Sequence, residues 1–413
     1  MAEKVRIQID KLVYGGDGIG RLPDGRAVFV PFTLPGEVVE LEIVQEGKKF
    51  ARGRLINLLE ASPERIQPRC KHFGTCGGCH YQHIPYDAQL QAKLAILQDQ
   101  MDRLGGFSAL PSGGITSSPS PWNYRNQVQF HPTPEGGLGF MDIDDKSVVP
   151  IQECHLPTEG INALWQQIDL GAEAGLTRIT LREDSFGELM LVLEGNDELG
   201  PELSLDLPIS VCYLKPDGSS LTLAGHDQLT YQILGRQLSL SPESFFQVNL
   251  EVAEKMVEHV LAHLPQKPAL NTLELYAGAG LFSLFLAEHS RELIAIESSP
   301  SACFDFAKNL DSYDNVRLYE GPVEQVLPAL MDELPPLDLV LLDPPRAGLH
   351  PSARESLEKL SSEHIVYISC DPSTLARDLK HLCAAGYKLE DLHLFDMFPQ
   401  TYHMETVANL QRG

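Results

Sequence analysis

The chain holds 413 residues and carries a net charge of −25, with 32 Lys and Arg set against 57 Asp and Glu. So long a chain exceeds what one hydrophobic core organises, and two or three domains are expected. With 43% hydrophobic and 22% charged residues, wholesale disorder is excluded, and no apolar run reaches the length of a membrane span. The start, Met1-Ala-Glu-Lys-Val-Arg, has no apolar leader, so a cytoplasmic protein without a membrane partner is expected. In that compartment the eight cysteines read as thiols or metal ligands rather than disulfides.

Residues 1–62 read as an all-β domain. Val5–Ile9, Arg26–Val30, Val38–Val44 and Arg52–Ile56 are short β-branched stretches. Gly15-Gly16-Asp17-Gly18-Ile19-Gly20, Pro23-Asp24-Gly25 and Pro35-Gly36 punctuate them as turns. Strands this short with turns this tight predict a small closed barrel of the OB-like kind. The acidic total argues against a polyanionic partner, yet residues 1–65 hold ten Lys/Arg and ten Asp/Glu, so the rest carries the whole deficit. Such a barrel either binds RNA or serves as a structural cap, and its basic share favours RNA.

Residues 63–230 read as a mixed α+β middle. Here Cys70, Cys76 and Cys79 stand close together among glycines that permit the turns needed to wrap a metal group. Cys154, in a similar polar loop, is the nearest candidate for a fourth ligand. Zinc is a rival, because tetrahedra of four cysteines are common. Those usually use two close pairs, whereas a compact trio plus one distant cysteine suits a [4Fe–4S] cluster. Gln89–Leu104 has helical periodicity, Arg178–Leu181 and Leu189–Leu193 read as strands, and Ser108–Ser120 as a loop. Trp122, Tyr124, Arg125 and Asn126 could stack on an unpaired base and contact phosphate, or form an ordinary strand with an aromatic core face.

Residues 231–413 alternate between strand and helix. Strands are expected at Thr272–Tyr276, Leu293–Glu297, Val316–Tyr319, Asp338–Leu342 and His364–Ser369, the rhythm of a parallel, doubly wound α/β sheet. Gly278-Ala279-Gly280 follows the first strand and precedes a helix, which lets the backbone approach a ligand. Glu297 ends the next strand, where a carboxylate can accept hydrogen bonds from ribose; the bland alternative is a solvated helix cap. Asp343 ends the fourth strand ahead of Pro344-Pro345. An acid followed by Pro-Pro resembles S-adenosylmethionine-dependent methyltransferases, which puts that cofactor ahead of NAD.

Cys370 closes the fifth strand, before a helix predicted over Ser373–Ala385. It reads either as a packed core cysteine or as a nucleophile whose thiolate the helix end would favour. Methylating an unactivated carbon such as C5 of uracil or cytosine requires such a thiolate. Addition at C6 raises electron density at C5, and a base must later remove the C5 proton. Glu405, entering the strand Thr406–Leu410, is a candidate base and His403 its rival. With Leu392–Phe395 that strand would form a terminal antiparallel pair. Cys212, Cys303 and Cys383 have apolar neighbours and read as core.

Phe245-Phe246-Gln247-Val248-Asn249, the Gly278 turn, Asp343-Pro344-Pro345-Arg346, Ser369-Cys370-Asp371-Pro372 and His403-Met404-Glu405-Thr406 follow one another in a distinctive order. In that order the whole chain resembles the class I RNA uracil-C5 methyltransferases. The resemblance implies a Rossmann-like domain over 231–413 whose S-adenosylmethionine pocket is lined by Gln247, Tyr276, Glu297 and Asp343, beside Gly278 and Gly280 of the turn. It further implies that Cys370 is the nucleophile and Glu405 the proton-abstracting base. The N-terminal barrel resembles the TRAM domain of many members, and the large-subunit ribosomal RNA enzymes carry a [4Fe–4S] cluster on a matching set, here Cys70, Cys76, Cys79 and Cys154. The expected substrate is a uridine of structured RNA, 23S rRNA rather than tRNA, because the bacterial tRNA enzymes usually lack both barrel and trio. Archaeal-type tRNA enzymes retain a cluster, so tRNA stays an alternative. A non-catalytic RNA-binding protein is a second alternative, opposed by the intact site residues. Cytosine-C5 methylation is a third, opposed by the Glu405 arrangement. A monomer is expected.

Overall fold

The computed structural model describes residues 4–111, 113–168, 175–198, 200–201, 207–360 and 362–413. The chain divides into two compact units, Met1–Asp99 with Gly139–His155 and Phe398–His403, and Gln100–Leu138 with Leu156–Met397 and Met404–Gly413. These units interleave along the chain and so cut across the expected segments 1–62, 63–230 and 231–413.

In the first unit, strands Lys4–Leu12, Gly18–Arg21, Ala27–Val30, Phe50–Glu60 and Val38–Glu46 close, in that order, into a barrel. Alternation at period two sends Ile7, Ile9, Val28, Val30, Val39 and Leu41 into its core while Arg6, Gln8 and Asp10 face water. The stretch read as a pure turn, Gly15 to Gly20, instead ends in the strand Gly18–Arg21. A Cβ on Gly18 would lie 2.2 Å from Thr33 Oγ1, and one on Gly20 would lie 2.4 Å from the Gln8 carbonyl oxygen. Five short strands close only if this one passes without side chains there. The buried Glu37 carboxylate accepts from Leu34 N at 2.8 Å and from Arg65 Nε at 2.6 Å, which ties the barrel to the segment leaving it.

The basic share of residues 1–65 is largely compensated within the unit. Lys4 pairs with Glu40, Arg6 with Glu60, Lys11 with Asp99, Arg26 with Asp24 and Glu46, Arg54 with Glu42, and Arg65 with Glu37. Lys48, Lys49 and Arg52 remain exposed beside Phe50, which is 44% exposed.

The second unit is built on a sheet ordered Val316–Glu320, Ser290–Glu297, Leu270–Leu275, Leu339–Leu342, His364–Ser369, Glu405–Arg412, Tyr387–Phe395 and Ile115–Thr116. The first five strands are parallel, and Glu405–Arg412 runs antiparallel to both its neighbours. Buried on both faces, the central strands read as continuous runs, Leu339–Leu342 being LVLL. Ile115–Thr116 falls inside the stretch expected to be loop. It pairs with Leu394–Phe395, and Leu394 N donates to Gly114 O at 3.0 Å. Ser, Pro and Gly neighbours hide this strand locally; the open sheet edge recruits it. The predicted helix at 89–104 is an α-helix over Tyr86–Gln100 that widens into one π turn, Met101–Gly105, stopped by Gly106 at φ +79°. A second sheet in this unit joins Ser220–Ala224, Ser210–Leu214, Leu189–Gly195, Leu176–Glu183 and Gln127–Pro132. Among the described residues no helix is long and apolar enough to cross a membrane.

Candidate active site

Strand order reverses between Leu270–Leu275 and Leu339–Leu342, and open α/β sheets bind ligands beyond the carboxyl ends of such a pair. The chain leaves Leu275 through three left-handed residues, Tyr276 at φ +61°, Gly278 at +56° and Gly280 at +91°. A Cβ on Gly280 would come within 2.7 Å of Leu310, so this glycine allows the turn to pack on protein. A Cβ on Gly278 would meet nothing within 4 Å, so the turn is open on that side. Glu297 holds the turn: its carboxylate accepts from Gly278 N at 2.8 Å, and from Ser298 N and Ser299 N at 2.6 and 2.7 Å. The helix-end contact and the turn contact coexist on one carboxylate. Gln247 is buried, and its side chain makes no hydrogen bond among the described residues. Its carbonyl accepts from Asn126 Nδ2 at 3.0 Å.

That bond reassigns part of the aromatic and polar segment at 122–126. Tyr124 and Asn126 are buried, and Asn126 N donates to Val248 O at 3.0 Å. Asn126 therefore positions the Phe245–Asn249 segment from within rather than presenting its amide at the surface.

Cys370 and Glu405 meet through strand register. Ser369 pairs with Thr406, so one step further along an antiparallel pair sets 370 opposite 405. Thr406 Oγ1 donates to Ser369 O at 3.0 Å and pins that register. Glu405 is 6% exposed, Cys370 is half-buried, and Asp343 keeps a partial face to solvent. Burial, then the charges of Glu405 and Asp343, push the Cys370 thiol up to about 12, while Arg346 draws it back. Burial and Asp343 hold the Glu405 carboxyl well above the usual carboxylate range, again against Arg346. Burial alone lifts Asp343 to about 7.

The expectation that the helix end would favour a Cys370 thiolate is overturned. Asp371 caps the helix Pro372–Ala384 itself, accepting from Ser373 N at 2.9 Å and Thr374 N at 3.0 Å. The free amides are thus spent on a carboxylate one residue beyond the thiol.

Sequence reasoning missed Asp378. It is buried among Leu375, Leu379 and Leu382, and an acid on that apolar face is the signal that could have revealed it. Its Oδ2 accepts from Tyr367 Oη at 2.8 Å and Leu349 N at 2.9 Å. Arg377 Nη2 reaches Ala347 O at 3.0 Å, and Thr374 Oγ1 reaches Arg346 O at 3.2 Å. Together they anchor the loop that presents Arg346. His403, the rival base, belongs to the first unit, where its ring lies 4.1 Å from that of Tyr402.

Behind the turn, burial lifts Glu274 to about 8, opposed by the hydroxyl of Ser283. Unfolded, this carboxyl loses its proton near its ordinary value of 4.5, so between about 4.5 and 8 the folded chain holds a proton the unfolded chain lacks. Its contribution is therefore fully present at acid pH and falls as pH rises, by up to about 1.4 kcal/mol per pH unit. The thermal midpoint should drop between about pH 5 and pH 8, and Glu274→Gln should flatten that slope in a calorimetric pH series.

All four cysteines of the proposed metal set lie in the first unit and are half-buried. The Cys70 loop and the Cys154 loop are stitched together. Lys71 N donates to Glu153 Oε1 at 2.7 Å, Lys71 Nζ to Gln152 Oε1 at 2.8 Å, and Gln152 N to His72 Nε2 at 3.0 Å. Gly77 N donates to Met141 O at 2.9 Å, and a Cβ there would lie 2.9 Å from Asp142 O. Gly78 N donates to Cys76 Sγ at 3.4 Å, the kind of amide contact that supports a thiolate ligand. Cys212 and Cys303 are buried and Cys383 half-buried, and burial raises all three thiols.

A parallel sheet closed by a reversed terminal hairpin, with a glycine turn at its switch point, is the architecture of the Rossmann-like methyltransferases. A family model described as tRNA (Uracil-5-)-methyltransferase matches residues 226–413, and the TRAM domain model matches residues 2–56. Uncharacterized RNA methyltransferases from Aquifex aeolicus and Halalkalibacterium halodurans are 34% and 31% identical, covering 98% of this chain and 98% and 96% of their own. The solved tRNA (uracil-54, C5)-methyltransferase of Pyrococcus abyssi, in complex with S-adenosyl-L-homocysteine, is 26% identical with a TM-score of 0.74, covering 98% of this chain and 100% of that one. The chain belongs to the RNA uracil-5-methyltransferase family. It is an S-adenosylmethionine-dependent RNA methyltransferase with an N-terminal TRAM domain.

Proposed function

We propose that the protein methylates C5 of a uridine in structured RNA, through Cys370 as nucleophile and Glu405 as base. The observation that carries this reading is the register that sets Cys370 opposite Glu405 at the carboxyl edge of the sheet, with Asp343 and Arg346 beside both. Bound S-adenosylmethionine supplies an electrophilic methyl group on a cationic sulfur. Its holders would be the Gly278–Gly280 turn, Glu297, Tyr276, the side-chain amide of Gln247 and Asp343. The open side of Gly278 and the Gln247 amide, which makes no hydrogen bond among the described residues, suit such a ligand.

The Cys370 thiolate adds to C6 of the flipped uracil, forming the S–C6 bond and raising electron density at C5. Once C5 is methylated, Glu405 takes the C5 proton. The electron pair left behind restores the C5–C6 double bond, and the thiolate departs. Arg346 lowers the thiol and the Glu405 carboxyl together, so it favours both charged forms the sequence of steps needs.

The proposed substrate is 23S rRNA, supported by the barrel joined to a cysteine quartet. Lys48, Lys49 and Arg52 beside Phe50 offer phosphate and stacking contacts there. A tRNA substrate is the second reading, favoured by the likeness to the Pyrococcus abyssi enzyme. Incubating the protein with labelled S-adenosylmethionine and either 23S or bulk tRNA transcripts separates the two. Label confined to tRNA would overturn the rRNA reading.

The quartet Cys70, Cys76, Cys79 and Cys154 fits a [4Fe–4S] cluster by its all-thiolate donor set and by the stitching of its two loops. Uracil methylation involves no net redox change, so the cluster is proposed to be structural or to shape RNA docking. Anaerobically purified protein should carry about four irons per chain. Cys154→Ser should lower that content and the thermal midpoint, and stoichiometric zinc without iron would sink the cluster.

A further inference from the structure

We infer that the second unit holds a site for one divalent transition-metal ion of the zinc or cobalt type, formed by His259, His263 and Asp391. This site would clip the helix Leu250–Ala262 to the terminal hairpin. It shares no residue with the cysteine quartet or with the residues assigned to methyl transfer.

Residues four apart on a helix share a face, so His259 in the last turn and His263 at the C-cap present their rings together, with centroids 4.2 Å apart. Asp391, on the strand Tyr387–Phe395, supplies a carboxylate oxygen to the same place. One donor atom from each of the three lies within 4.8 Å of the others. His259 Nε2 is 3.1 Å from Asp391 Oδ2, and His263 Nε2 is 4.0 Å from that same oxygen. Donors bound to one ion at about 2.0–2.2 Å sit roughly 3–4 Å apart, so the observed spacing needs only slight closure.

The tautomer of His263 points the same way. Its Nδ1–H donates to the His259 carbonyl at 2.8 Å, which leaves Nε2 as a lone pair. A second-shell bond of this kind to a backbone carbonyl is what orients metal-binding histidines. That Nε2 lies 4.0 Å from Asp391 Oδ2, a gap that a metal ion bound to both would bridge. Asn409 adds an independent observation. Its Nδ2 lies 3.3 Å from both Asp391 Oδ2 and His259 Nε2, yet the Oδ1 of the same amide is buried with no hydrogen-bond partner among the described residues. A water on the bound ion would supply the donor that oxygen lacks.

The ion can enter from solvent, since the His263 side chain is 36% exposed and those of His259 and Asp391 are 14% and 13% exposed. Two imidazoles and one carboxylate suit zinc, cobalt or nickel better than magnesium or calcium. His393 stacks on His259 at 4.8 Å and engages Thr116 Oγ1 through its own Nε2 at 2.9 Å, so it is a wall of the site and not a ligand. Asp391 is cross-strand partner to Asn409, four residues beyond Glu405 on the same strand, so the clip would stiffen the hairpin that carries Glu405.

The test uses the full chain, purified anaerobically with its cysteine site intact, stripped of loosely held metal and titrated with cobalt(II). One equivalent should bind with a visible d–d band and no thiolate-to-cobalt charge-transfer band, and zinc(II) should displace it. His263→Ala, which removes the most exposed ligand and should fold normally by circular dichroism, should weaken binding about tenfold or more. Asp391→Asn should do the same. No binding at millimolar cobalt would leave only an ordinary His259–Asp391 ion pair and overturn the site. So would binding that His263→Ala leaves unchanged, or cobalt seen solely through a thiolate band.

Discussion

Replacing Cys370 by alanine should abolish methyl transfer, lowering the rate by on the order of 10⁴-fold or more, because the variant has no group to activate C5. Incorporation of labelled methyl into RNA measures this, and residual activity near the wild-type level would rule out Cys370 as the nucleophile. Binding of S-adenosylmethionine should survive, since the glycine turn, Glu297 and Asp343 are untouched. The thiol also makes a pH prediction. Raised to about 12 by burial and by the Glu405 and Asp343 charges, Cys370 is a thiol at neutral pH in the free protein. Its thiolate fraction, and so its alkylation rate followed on its own peptide by mass spectrometry, should rise about tenfold per pH unit through the neutral range. Arg346→Ala should slow that alkylation at fixed pH, because the Arg346 charge is what draws the thiol down. The high resting value also makes chemical sense. A thiolate formed only when the cationic sulfur of the cofactor lies nearby is protected from idle oxidation.

Replacing Glu405 by glutamine should trap the reaction after methylation. The side chain keeps its shape but cannot take the C5 proton, so the S–C6 bond should persist. A protein–RNA adduct should then accumulate that survives denaturing electrophoresis, with turnover reduced by roughly 10²–10⁴-fold. A variant that turns over normally without adduct would move the base elsewhere. In the free protein, burial and Asp343 raise the Glu405 carboxyl well above the usual carboxylate range, whereas a base must be ionised. The proton-abstraction step should therefore accelerate as pH rises, and Asp343→Asn should shift that profile toward lower pH by removing a neighbouring negative charge. Asp343→Asn should also weaken the cofactor, so single-turnover rates at saturation are the proper readout.

The β–α rhythm from Thr272 onward, the glycine turn, Asp343-Pro344-Pro345 and the strand ending on Cys370 were legible because each is a local pattern. The strand His364–Ser369 has the predicted bounds, and the helix after it, Pro372–Ala384, lies one residue from its predicted position. The short β-branched runs and tight turns of the N-terminal segment likewise foretold a closed barrel. Long-range contacts decided the rest. Gly18–Arg21 is a strand because only residues without bulk fit against Thr33 and Gln8, and those partners are remote in sequence. Ile115–Thr116 is a strand because a sheet edge made by Leu394–Phe395 was open beside it. Basic residues of the barrel counted as a docking surface by composition, whereas six of the ten in residues 1–65 are paired with acids within the first unit. Asn126 looked like a base reader and is instead a brace behind Gln247.

By itself, then, the sequence determined the alternating α/β order and the glycine turn and singled out Cys370 as the proposed nucleophile, since periodicity, glycine placement and residue chemistry are properties of neighbours along the chain. Only the tertiary structure decided which acid faces that thiol, how far burial and like charge raise its pKa, and that Asp371 rather than Cys370 takes the helix amides. Those outcomes depend on register and on the local dielectric, which exist only once distant strands have been brought side by side.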